Sequence, residues 1–101
     1  MKNFYEGKTI LITGGAGSIG MSLVEKILEY NPKIIRALDI NETGLFNLKH
    51  RLVTEKIRLL VGDIRDKERL KRAVENVDIV LHAAALKHVP LCEFNPFEAI
   101  Q

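Results

Sequence analysis

At 101 residues, with 47% hydrophobic and 28% charged residues and a formal net charge of +2, the chain has the size of one modest domain or part of one. Its acidic and basic residues are interspersed, so there is no electrostatic argument for nucleic acid or a membrane surface as partner. A single cysteine, Cys92, excludes an internal disulfide, the opening "MKNFYEGK" lacks an apolar targeting core, and no run approaches the roughly 18 apolar residues of a membrane span, so cytoplasm is the expected location.

Four short apolar runs recur along the chain. Ile10-Leu11-Ile12 is the first, and "TGGAGSIG" follows it directly. Ile19, Leu23, Val24, Ile27 and Leu28 then fall at helical spacing, up to a stop at Asn31-Pro32. The second run, Ile34-Ile35 through Leu38, leads to Asp39 and to a helical stripe of Leu45, Leu48 and Leu52. The third, Ile57 through Val61, runs into Gly62-Asp63-Ile64; behind it Leu70, Ala73, Val74 and Val77 form another stripe, with Asp66 placed as its N-cap. Ile79-Val80-Leu81 is the fourth.

These runs are continuous rather than alternating and rich in β-branched residues, which predicts parallel strands covered on both faces. The order β-α-β-α-β-α-β with right-handed crossovers gives an α/β fold, a Rossmann-like doubly wound parallel sheet in the order 3-2-1-4. The last stretch, "AAALKHVPLCEFNPFEAIQ", reads as a loop and then a helix beginning at Asn95-Pro96. Residues 1–101 are therefore expected to be the N-terminal portion of a longer chain, with a sheet incomplete at its C-terminal end.

The glycines carry the chemistry. Gly15 to Gly20 satisfy G-x-G-x-x-G, and Gly14, Gly17 and Gly20 also give G-x-x-G-x-x-G. Between a predicted strand and a predicted helix, this pattern is expected to bring backbone N–H groups up to a pyrophosphate, which the positive end of the helix also attracts. Gly14, Gly15, Ala16, Gly17, Ser18, Ile19 and Gly20 are the expected phosphate-binding residues, with Gly20 letting the helix pack close to the strand. A plain glycine turn is the alternative.

Asp39 ends the second run 19 residues after Gly20, where a carboxylate accepts from a ribose 2′-hydroxyl and repels a 2′-phosphate. "DINE" supplies no arginine to welcome that phosphate, so NAD is favoured, with NADP as the other option; a solvated strand-end Asp is the bland reading. Asp63 divides evenly between the adenine edge, with Ile64 packing on the ring, and a helix cap.

"TGGAGSIG", "GDIRD", "HAAALKHVPLCEFNPFEAIQ" and the Asp39 strand end together resemble the extended short-chain dehydrogenase/reductase family. More narrowly, the chain is similar over its whole length to the polysaccharide-biosynthesis branch, the 4,6-dehydratases of UDP-N-acetylglucosamine. The resemblance implies that Asp63 and Ile64 sit by the adenine and that Ala83, Ala84 and Ala85 pass under the nicotinamide-side ribose. It places Lys87 near that ribose or the substrate. Small residues at 83 to 85 also suit a tight strand crossing.

The resemblance further implies reversible hydride transfer at sugar C4, loss of water across C5 and C6, a nucleotide-sugar partner and a homo-oligomer. Its catalytic Tyr-x-x-x-Lys is missing here, because Thr9 and Ile34 stand four places after Tyr5 and Tyr30. No catalytic residue is assigned, and this chain alone is expected to be inactive. A 4-epimerase of the same superfamily and a non-catalytic dinucleotide-binding module are the competing functions. No metal is expected: His82 and His88 stand six residues apart on different elements, unlike zinc ligands, and Cys92 and Glu93 add no such spacing. Cys92, Phe94 and Phe97 are expected to pack a loop or a partner surface.

Overall fold

The computed structural model describes residues 3–83. The apolar runs become β1 (Thr9–Thr13), β2 (Ile34–Asp39), β3 (Ile57–Val61) and β4 (Ile79–His82); between them lie α1 (Ser18–Leu28), α2 (Glu42–Arg51) and α3 (Lys67–Ala73). All strand pairs are parallel and the sheet order is β3-β2-β1-β4. Thr9 to Thr13 pair with Ile34 to Leu38 on one side, and Ile10 to Thr13 with Ile79 to His82 on the other. The sequence-based topology holds in full.

Alternation along each strand divides the core between two faces. Ile10, Ile12, Ile35, Ala37 and Ile57 pack against Val24 and Ile27 of α1 and Leu45 and Leu48 of α2. On the opposite face Leu11 and Leu38 meet Ala73 of α3, with Leu60, Leu70 and Val77 packed around them. A fully buried Leu or Ile is worth about 1.5–3 kcal/mol, so the face under α1 and α2 carries most of the apolar stabilisation.

That asymmetry corrects one expectation. β1 is covered on both faces, but β3 and β4 are not: Val61 is 43% exposed and Val80 38%. Both strands lie at the margins of the described sheet, where each has a strand neighbour on one side alone. A second correction concerns α3 itself. The stripe of Leu70, Ala73, Val74 and Val77 suggests one helix, yet α3 ends at Ala73 with Val74 as its cap. Asn76 then takes a left-handed conformation, φ 60°, and turns the chain so that Val77 packs on the sheet from outside the helix. The Asp66 cap is as expected: its side chain accepts from the Arg69 N–H at 3.1 Å. The stop after α1 also stands where predicted, with Asn31 left-handed at φ 56°.

Topology fixes where a ligand belongs. α1, α2 and α3 all begin just beyond the C-terminal ends of strands, and β1 has β2 on one side and β4 on the other. The chain reverses its direction of winding at that point, which opens a crevice outside the strand ends.

Candidate dinucleotide site

The floor of the crevice is the turn between β1 and α1. Gly14 and Gly15 donate to the Leu38 carbonyl of β2 at 2.7 and 3.2 Å, and the Gly17 N–H closes back on the Gly14 carbonyl at 3.1 Å. Gly14 has φ 74°, a conformation that only glycine adopts without strain. Gly20, one turn into the helix, faces this floor: a Cβ there would stand 1.9 Å from the Gly14 carbonyl oxygen and 2.9 Å from the Gly15 Cα. What Gly20 permits is therefore close packing of α1 on the glycine turn rather than on the strand.

The opening of α1 is bare. Gly17 stands at the N-cap with no side-chain hydrogen bond, and the first turn holds no acidic residue. The N–H groups of Ser18, Ile19 and Gly20 have no protein partner among the described residues, and Ser18 and Ile19 are exposed. Unpaired N–H groups together with the positive end of the helix dipole make a site for a bound phosphate.

Asp39 sits beside this turn. One carboxylate oxygen accepts from the Ala16 N–H at 2.9 Å, the other from the Asn41 N–H at 2.9 Å. It thus pins the glycine loop to the entry of α2, and the Ala16 N–H is already taken. The N–H groups left for phosphate belong to Ser18, Ile19 and Gly20. Two residues not foreseen in the sequence complete the clamp. Asn41 caps α2 by accepting from the Gly44 N–H at 2.9 Å. Gly44 lets α2 lie against the loop, since a Cβ on it would stand 2.7 Å from that of Ala16. An Asn immediately before Glu42 was the available signal for that cap.

Asp63 follows β3, which ends at Val61; the Gly62 N–H donates to the Asp39 carbonyl at 3.0 Å and ties this turn to the end of β2. Asp63 caps no helix, that role being filled by Asp66. Its carboxylate is held by Arg65, whose side chain and backbone N–H both donate to it; these bonds, and then the nearby guanidinium charge, lower its pKa from 3.8 to about 2. Ile64 is partly exposed beside it.

On the other side of β1, Thr13 is fully buried, with its hydroxyl 3.2 Å from Nδ1 of His82 at the end of β4. Burial lowers the pKa of that imidazole. Ala83, the first residue beyond β4, is buried in the core under α1. Ala84, Ala85 and Lys87 lie outside the described residues, as do His88, Cys92, Glu93, Phe94, Phe97 and the helix expected at Asn95-Pro96. The donor set at the floor fits a dinucleotide pyrophosphate: bare N–H groups at Ser18, Ile19 and Gly20, no acid in the first turn of α1, and a helix seated as low as its glycines allow.

Comparison with known proteins agrees with the geometry. The class is that of extended short-chain dehydrogenases/reductases; an oxidoreductase of the short-chain dehydrogenase/reductase family from Burkholderia thailandensis superposes with a TM-score of 0.66 at 34% identity, over 73% of this chain and 30% of its own. Within that class, the chain belongs to the family described as polysaccharide biosynthesis protein, whose model matches residues 10–101. An uncharacterized membrane protein of Methanocaldococcus jannaschii is 66% identical over the whole chain, which covers 30% of that protein. An inverting UDP-N-acetylglucosamine 4,6-dehydratase of Campylobacter jejuni is 45% identical over 96% of the chain and 29% of its own length. A UDP-glucose 4-epimerase of Rickettsia prowazekii is 40% identical over 92% of the chain and 28% of its own. The chain thus spans about 30% of the length of the curated relatives it matches. No helix among the described residues is long and apolar enough to cross a membrane.

Proposed function

We propose that residues 1–101 are the dinucleotide-binding part of an enzyme that modifies a nucleotide sugar, and that its cofactor is NAD. The observation that carries this reading is the bare start of α1, set over Gly14 and Gly20 and braced by Asp39. The pyrophosphate rests on the N–H groups of Ser18, Ile19 and Gly20, with Gly15, Ala16 and Gly17 forming the turn beneath. The adenosine half lies over the ends of β2 and β3. There Asp39 accepts from the ribose hydroxyls and repels a 2′-phosphate, Asp63 faces the exocyclic amino group and Ile64 the ring. Ala83 to Ala85 and Lys87 belong to the nicotinamide half, toward β4.

When bound, the nicotinamide supplies reversible hydride acceptance; this chain's residues bind it and orient it. For the reaction we favour 4,6-dehydration of UDP-N-acetylglucosamine, because the Campylobacter relative with that name is more similar than the Rickettsia epimerase. The epimerase is the second reading, since both relatives cover nearly all of the chain. We place the activity in the cytoplasm and the enzyme in a homo-oligomer. The test is to incubate the full-length protein, of which residues 1–101 are a part in this reading, with UDP-N-acetylglucosamine and NAD⁺. A 4-keto-6-deoxy product supports the dehydratase and a C4 epimer the second reading; cofactor binding without turnover of any UDP-sugar leaves a binding module. The 101-residue chain alone is expected to yield no product, because it lacks Tyr-x-x-x-Lys.

A further inference from the structure

We propose that Arg65 guards the adenine-facing carboxylate: in the free protein its guanidinium engages both oxygens of Asp63, and a 6-aminopurine binds by displacing it. The inference rests on the dinucleotide reading above. Nε of Arg65 lies 3.1 Å from each carboxylate oxygen, Nη2 lies 2.7 Å from Oδ2, and the backbone N–H of Arg65 lies 2.9 Å from Oδ1. Three N–H groups make these four contacts, the Nε–H being shared between the two oxygens, against the roughly four acceptor positions a carboxylate offers. The guanidinium engages both oxygens on their exposed side, so an incoming amino group competes with it for the acceptor.

The two partners are not equally fixed. The Asp63 side chain is 29% exposed and keeps its backbone bond whatever the guanidinium does, whereas the Arg65 side chain is 85% exposed. Among the described residues, Asp63 is the one hydrogen-bonding partner of that guanidinium. An exposed pair of this kind is weak and gives way readily to a better-placed donor. The Arg65 side chain is thus a removable cover on a carboxylate that remains in position. Its presence lowers affinity for every ligand that needs the acceptor and leaves alone any ligand that does not.

Nicotinamide hypoxanthine dinucleotide makes that distinction, because it replaces the adenine amino group with a carbonyl. Calorimetric titrations of the protein with NAD⁺ and with this analogue, for wild type, R65M and D63N, test the proposal. Methionine keeps an unbranched stem at an exposed position and leaves the backbone bond intact. R65M is expected to bind NAD⁺ about two- to five-fold more tightly, the range an exposed ion pair spans, and the hypoxanthine dinucleotide no more tightly. Equal or weaker NAD⁺ binding by R65M overturns the guard. D63N separates the two levels of inference. If it abolishes the preference for NAD⁺ over the analogue while R65M matches wild type, the guard alone fails. If D63N keeps the wild-type preference, the base does not contact Asp63, and the adenine assignment falls together with the guard.

Discussion

α2 and α3 each begin with a side chain that accepts from their first turn, Asn41 from Gly44 and Asp66 from Arg69, and each carries an acid there, Glu42 or Glu68. α1 begins at the same edge of the same sheet with a glycine and no acid. The physics of starting a helix is common to all three, and the first N–H groups of α1 have no protein partner among the described residues. Glycine in place of Asn or Asp at an N-cap costs only a few tenths of a kcal/mol, so a bare start is cheap. The difference between the helices is thus one between closing a terminus with the chain's own side chains and leaving it open, as the proposed phosphate site requires.

The strongest way to break this contrast is to give α1 the start of its neighbours. Gly17 has extended backbone angles, φ −79° and ψ 167°, that suit a capping residue. Gly17→Asp should leave the fold intact and weaken NAD⁺ binding about 100-fold or more, since like charges brought together cost several kcal/mol. Gly17→Val should also abolish binding, through a branched side chain in the phosphate approach. Unchanged titration curves for either folded variant would remove the phosphate from this terminus. Gly20→Ala comes next: with its Cβ 1.9 Å from the Gly14 carbonyl oxygen, α1 must lift off the turn, and denaturant unfolding should show a loss of about 3 kcal/mol.

Asp39→Ala removes the acceptor for two backbone N–H groups and should cost about 1–2 kcal/mol. It should also narrow the preference for NAD⁺ over NADP⁺, measured by parallel titrations; a parent protein that prefers NADP⁺ would refute the role given to this carboxylate. Asp66→Ala sharpens the contrast from the other side. It should cost about 1 kcal/mol in stability and nothing in nucleotide affinity, because the start of α3 is closed. The smallest effect concerns His82. Burial lowers its folded pKa below the 6.5 of the unfolded chain, so the unfolded state takes up the proton first as pH falls. Its contribution is complete above pH 6.5 and is lost progressively below it. Unfolding at pH 7.5 and 5.5 should show this slope, and His82→Gln should flatten it.

Much of this architecture is legible in the sequence because it rests on local signals. Ile10 to Ile12 and Ile34 to Leu38 are too short and too β-branched for helices, and Asp66 announces its helix by type and position. The glycine turn and Asp39 follow from spacing, and the structure brings them within 2.9 Å of each other. What escaped is settled between elements. The Gly44 and Ala16 contact depends on how α2 lies against a loop far away in the chain. Val77 has helical spacing with Leu70 and Ala73, but the left-handed Asn76 places it outside the helix. Exposure of Val61 and Val80 depends on the sheet order, which puts β3 and β4 at its two ends. Arg65 stands two residues from Asp63, and nothing in that spacing shows that its side chain folds back onto the carboxylate.

The sheet order also bears on how the chain reaches this state. β1 finds β2 about 25 positions away, whereas Thr13 meets His82 across 69. Closing the longer loop costs roughly 1 kcal/mol more in chain entropy, and β4 repays it with only four residues. The expected order of assembly is β1 with β2 and β3 first, and β4 last. The glycine turn, Asp39 and the Gly62 link then form early and together, while the Thr13–His82 end waits for the final strand. On the proposed placement of the cofactor, a chain caught partway would hold the phosphate and adenosine end before the nicotinamide end exists, so a nucleotide monophosphate should act as a folding ligand sooner than the dinucleotide does.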